Sequence, residues 1–201
     1  MPWTDPRPTI LHRVEQLGMA VFTRGSYNLN LIGVRSPARR AGRFDDHLVC
    51  VYKDNEQRWH THEWAATTDP GTYWLAHPMR AQVGTAILVP GQYRGAYVVG
   101  RHHGYDALVQ DRPMRFWRDR DRDADLDFDD LTISSEVIGA NIHAADSNPF
   151  DAIDTNPLEI GRWSAGCQVL QHAANYRELW SLVGKATMLW GPRFTFTLLE
   201  D

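Results

Sequence analysis

The chain has 201 residues, 43% of them hydrophobic and 23% charged, which supplies a sizeable core and argues against disorder. A formal net charge of −4 and an isoelectric point near 6.1 exclude the excess of lysine and arginine that a nucleic-acid or anionic-membrane footprint needs. No window approaches about 18 uninterrupted apolar residues, so membrane insertion is not expected.

Residues 1–8 lack a basic start followed by an apolar run and a small-residue cleavage site. The chain is therefore expected to be made in the cytoplasm without a signal peptide. In residues 9–17, Ile10, Leu11, Val14 and Leu17 follow the spacing of a short amphipathic helix that Gly18 stops. Apolar or alternating runs then recur at residues 19–22, 28–34, 48–52, 71–75, 86–89 and 95–99, separated by turn-formers such as Asp69-Pro70-Gly71 and Pro90-Gly91. Each run predicts a strand. Two cysteines, Cys50 and Cys167, are too few for a disulfide framework and lack zinc-site spacing, though they could pair with each other. Cys50 lies within an apolar run and reads as a buried strand cysteine.

His60 and His62 would share one strand face, but no third metal ligand accompanies them. His102 and His103 are adjacent, so on a strand they point to opposite faces unless a bend intervenes; His103 is assigned to the site. In residues 119–130 aspartates stand at every second position. A calcium loop would need glycine at its sixth position, where Ala124 stands, so the run predicts a solvated loop offset by Arg118, Arg120 and Arg122, with no metal. Residues 131–138 predict a strand, 173–183 a helix and 193–199 a closing strand. The expectation is one domain over residues 1–201, mainly β with a few short helices, closed as a sandwich or barrel.

The chemistry concentrates between Gly139 and Leu170. A thiol becomes a nucleophile where an imidazole or backbone amides stabilise its thiolate, which makes Cys167 the candidate nucleophile and His143 its base. Small residues before the cysteine leave main-chain N–H groups accessible, so Ala165, Gly166 and Cys167 are the expected oxyanion-hole donors. Ser164, Trp163, Arg162 and His103 are the expected substrate-binding residues. No cofactor is called for.

Ile142-His143, followed after an irregular loop by Ser164-Ala165-Gly166-Cys167, resembles the signature of the L,D-transpeptidase (YkuD-type) family. Residues 44–52 and Thr67-Thr68-Asp69-Pro70-Gly71-Thr72-Tyr73 resemble that family's strand and Thr-Pro-Gly hairpin. The resemblance implies a β-sandwich or barrel of that family, a cysteine that attacks peptidoglycan stem peptides, and a histidine base upstream of it. It also implies work in the bacterial cell wall or periplasm. The 24-residue spacing from His143 to Cys167 is longer than usual for the family. Ala165 replaces a histidine, Gln168-Val169 replaces the usual pair after the cysteine, and Ala144 follows His143 in place of glycine or serine. The His143 ring would then be oriented by a backbone carbonyl near Ala144. The segments Asn28 to Ser36, Thr68 to Tyr73 and Trp163 to Val169 also resemble a group of phage-encoded proteins with a W-S-A-G-C-Q-V motif.

Transfer of the acyl group to an amine and its hydrolysis by water are both compatible with these residues, since they differ only in what reaches the acyl-enzyme. A different class is a catalytically inactive wall-binding or phage structural module. NlpC/P60-like and papain-like peptidases place the cysteine before its histidine, and after Cys167 only His172 remains, five residues on and too local for a separately placed base. The loop from Ala144 to Gly161 carries Asp146, Asp151 and Asp154 and is expected to wall the cleft and to receive a cationic group.

Overall fold

The computed structural model describes residues 7–151 and 154–200; residues 1–6, most of the segment read for a leader, lie outside it. The fold is mainly β. Among the described residues there are eleven strands, three α-helices and one 3-10 turn. Eight strands close a barrel: β1 (Asn30–Arg35), β2 (Asp46–Lys53), β3 (Trp59–Thr67), β5 (Gly91–His102), β6 (Tyr105–Gln110), β9 (Ile142–Ala144), β10 (Gln168–Leu170) and β11 (Arg193–Glu200). Their order around the barrel is β1-β11-β5-β6-β9-β10-β3-β2. A second, three-stranded sheet is ordered β4 (Thr85–Leu88), β7 (Met114–Asp119) and β8 (Ser134–Glu136).

Alternation explains how β1 serves two cores. Leu31 points into the barrel with Leu48, Cys50, Phe196 and Leu198, while Ile32 points out to Val49, Val51 and Leu199. On that outer face lies α1 (Thr9–Gln16), which buries Leu11 and Val14. Complete burial of such side chains stabilises by about 1.5–3 kcal/mol each. Along one side, α3 (Ala173–Trp190) adds Tyr176, Leu179, Val183 and Ala186 to the barrel core.

Several expected elements differ. Residues 19–22 form no strand; the Gln92 side chain bonds the Ala20 N–H and C=O, and the Asn30 side chain does the same for Phe22. Side-chain amides there replace a ladder partner. Residues 71–75 are not a strand either: α2 (Thr72–Ala76) starts behind Gly71. Residues 131–138 divide into a 3-10 turn (Asp130–Thr132) and the short β8. The last helix runs past Gly184 and stops at Gly191, whose φ of 86° suits glycine. Both cysteines are free, and Cys50 is wholly buried in the barrel, so they do not pair.

Candidate active site

The site is set by two short neighbouring strands. β9 and β10 run parallel, with His143 beside Val169 and Ile142 beside Gln168. Side chains alternate, so Cys167, two residues before Val169, rises on the same face as His143. Both line one cleft of about 580 Å³. Its lining includes Trp74, Tyr105 and Ile138 together with Arg162, Trp163 and Asp146.

His143 is 2% exposed. Its Nδ1 bonds the Ala144 carbonyl at 2.8 Å, so Nδ1 carries the proton and Nε2 the lone pair. That is the ring orientation expected of a backbone carbonyl near Ala144. Nε2 is buried and has no hydrogen-bond partner among the described residues. Burial, helped by His102 and His103, pushes the imidazole down to about 3.

Half-buried Cys167 makes two sulfur contacts. Its thiol faces the Gly139 carbonyl at 3.6 Å, and its Sγ accepts the Asn141 N–H at 3.4 Å. Sγ and Nε2 are not hydrogen-bonded to each other. Burial pushes the thiol up to about 11, against the opposing pull of the Asn141 N–H. At neutral pH both groups are therefore uncharged, a thiol beside a neutral imidazole rather than a thiolate–imidazolium pair.

The loop before Cys167 is shaped by Ser164, which is fully buried and does not line the cleft. Its Oγ donates to the Cys167 carbonyl at 2.9 Å and accepts the Gly166 N–H at 3.2 Å. This corrects two expectations: Ser164 is a brace rather than a substrate contact, and the Gly166 N–H is engaged rather than free for an oxyanion. The N–H groups of Ala165 and Cys167 make no hydrogen bond among the described residues and remain as donors. Gly166 has a φ of 119°, and a Cβ there would lie 2.8 Å from the Ala86 carbonyl oxygen. Gly71 donates its N–H to the Ser164 carbonyl at 2.9 Å and packs so closely that a Cβ would reach 2.2 Å from Gly161 O. The Thr67 to Tyr73 segment thus abuts the cysteine loop.

Arg162, Trp163 and His103 line the cleft. The Arg162 guanidinium sits 3.9 Å from the Tyr73 ring centroid. Two acidic groups of the intervening loop have partners within the fold. Asp146 accepts from Thr155 Oγ1 and the Asn148 N–H, and Asp154 accepts the Ala174 N–H at the start of α3.

Two residues escaped the sequence reading. β5 ends at His102 and His103 takes a φ of 45°, so the bend that would bring both imidazoles into the cleft is present. His102 stacks on His143 with ring centroids 4.1 Å apart. The Asn141 amide is fixed because its Oδ1 accepts the Gln110 N–H; its Nδ2 therefore donates to His102 Nδ1, which must be unprotonated. Burial keeps His102 down at about 4. The other residue is Gln110, whose Oε1 accepts the N–H groups of Ile138, Gly139 and Ala140, at 2.9, 3.0 and 3.0 Å. That clamp shapes the turn whose carbonyl faces the thiol. A glutamine on an alternating strand gives no sign of it.

His60 bonds Asp54, and His62 lies 2.9 Å from Glu178. No helix among the described residues is long and apolar enough to cross a membrane. No protein-family model, curated protein or solved structure matches the chain.

Proposed function

We propose that this chain is a cysteine acyltransferase or peptidase of the L,D-transpeptidase type, acting on peptidoglycan stem peptides in the bacterial cell wall or periplasm. One observation carries the reading: a buried imidazole whose Nε2 lone pair has no partner opens on the same cleft as a half-buried thiol. A buried base without a partner is costly, which is what a site kept ready for a transient proton requires. The choice of stem peptides rests on the resemblance around His143 and Cys167.

The Cys167 proton leaves the Gly139 carbonyl for His143 Nε2 as Sγ attacks the acyl carbon. The Ala165 and Cys167 N–H groups hold the resulting oxyanion. Collapse expels the leaving amine, which takes the proton from Nε2 and leaves a thioester on Sγ. An amine or a water then attacks the thioester carbonyl, giving its proton to Nε2, and the departing sulfur recovers it. Nε2 of His143 holds a proton only between these steps, in keeping with the imidazole's low affinity for a second proton at rest.

The raised thiol also favours a second reading, a catalytically inactive wall-binding or phage structural module that keeps the scaffold. Digestion of purified peptidoglycan with mass analysis of the stem peptides decides between them. Released or newly joined stem peptides that vanish with Cys167→Ala support the enzyme and name the bond and acceptor. An unchanged digest that nonetheless retains the protein supports the module.

A further inference from the structure

The aspartate run that reads as a solvated loop is neither wholly solvated nor offset by its neighbours. Asp119 is 1% exposed; its Oδ2 accepts the Asp127 N–H at 3.1 Å, while its Oδ1 has no partner among the described residues. The arginines interleaved with the run point elsewhere. Arg118 bonds Ser134 and Glu136, Arg120 bonds the Val83 carbonyl, and Arg122 bonds the Ala81 carbonyl. Carboxylate oxygens of Asp119, Asp121 and Asp127 nevertheless lie within 4.8 Å of one another. Oxygens bound to one Ca²⁺ at about 2.3–2.6 Å stand roughly 3–5 Å apart, so the cluster has the dimensions of a hard-cation site.

We propose that Asp119, Asp121 and Asp127 bind a divalent hard cation, with Ca²⁺ as its representative. Two observations support it independently of the acidic count: a buried carboxylate oxygen without a partner, and three arginines committed to other acceptors. An unpaired buried carboxylate oxygen costs free energy unless a proton or a cation meets it. The missing glycine is no obstacle, because Ala124 adopts a φ of 75°. Three protein carboxylates leave the remaining positions to water, so affinity belongs in the weak range of about 10⁻⁴–10⁻³ M. The cation would pin the segment carrying Leu126, Phe128 and Ile133 onto Ile87, Val89 and Trp117. None of the three aspartates lines the cleft, so this site acts on the fold and is independent of the thiol chemistry.

The test is thermal unfolding of the full chain after chelator treatment, in 10 mM CaCl₂, in 10 mM MgCl₂ and in NaCl of matched ionic strength. Ca²⁺ is expected to raise Tm by about 3–6 °C for each tenfold excess over its Kd. The double variant Asp121→Asn/Asp127→Asn changes only exposed side chains, so it folds. It should lose the Ca²⁺ response while its metal-free Tm equals or exceeds that of the parent, because repulsion is relieved. No shift beyond matched NaCl, or an equal shift in the double variant, overturns the proposal.

Discussion

A resting site with both partners uncharged makes a specific statement about thiol reactivity as pH is varied. With the Cys167 thiol pushed up to about 11, the thiolate fraction is about 10⁻⁴ at pH 7 and about 10⁻² at pH 9. Because alkylation proceeds through the thiolate, its second-order rate constant should climb roughly 100-fold over those two units, with no plateau near neutrality. Cys50 does not interfere, since it is fully buried and burial raises its thiol further still. The assay is iodoacetamide labelling between pH 6 and 10, followed by peptide mass analysis at Cys167. His143→Ala should leave the slope intact, because the imidazole holds no charge at rest and makes no bond to Sγ. A plateau below pH 8 that disappears in His143→Ala would refute the argument. It would mean that the free protein already holds a thiolate–imidazolium pair.

Cys167→Ala should abolish turnover while leaving Tm nearly unchanged, whereas Cys50→Ala, which opens a small gap in the barrel core, should cost about 1 kcal/mol and spare turnover, as parallel kinetics and urea unfolding would report. Gly166→Ala should lower kcat more than it lowers stability, because its Cβ would press on the Ala86 carbonyl and displace the cysteine loop; equal kcat in the variant would contradict this. Gln110→Leu leaves three N–H groups of residues 138–140 without their acceptor and should cost about 1–3 kcal/mol per group that water does not reach, read as a fall in urea midpoint.

The barrel was legible where one local signal sufficed. The apolar runs within Asn30 to Arg35 and Asp46 to Lys53, and the apolar spacing of Leu11 and Val14, each point to the element that forms. The misreadings share a cause: partners distant in sequence decided the outcome. The Met19 to Phe22 run has strand composition, but side-chain amides of Gln92 and Asn30 occupy its backbone groups. The helix expected over residues 173–183 continues to Trp190, and Ala186 in the added turns is drawn into the barrel core. At the site, His143 and Cys167 were visible because the local motif carries them. The pairing of their strands was not, and neither were the engagement of the Gly166 N–H by Ser164 and the stacking of His102 on His143. Asp119 looked solvated because alternate charges suggest an exposed edge; β7, the middle strand of the second sheet, instead buries its last residue.

The central claim is that Cys167 becomes acylated with His143 as its proton carrier, and intact-protein mass spectrometry during incubation with purified stem peptides measures that most directly. The parent chain should gain the mass of a stem-peptide acyl group, mapped by digestion to Cys167. His143→Ala should form the same adduct roughly 10²–10⁴-fold more slowly, the usual loss on removing a general base. No adduct on Cys167 in the parent chain, or one that forms equally fast without His143, would contradict the account.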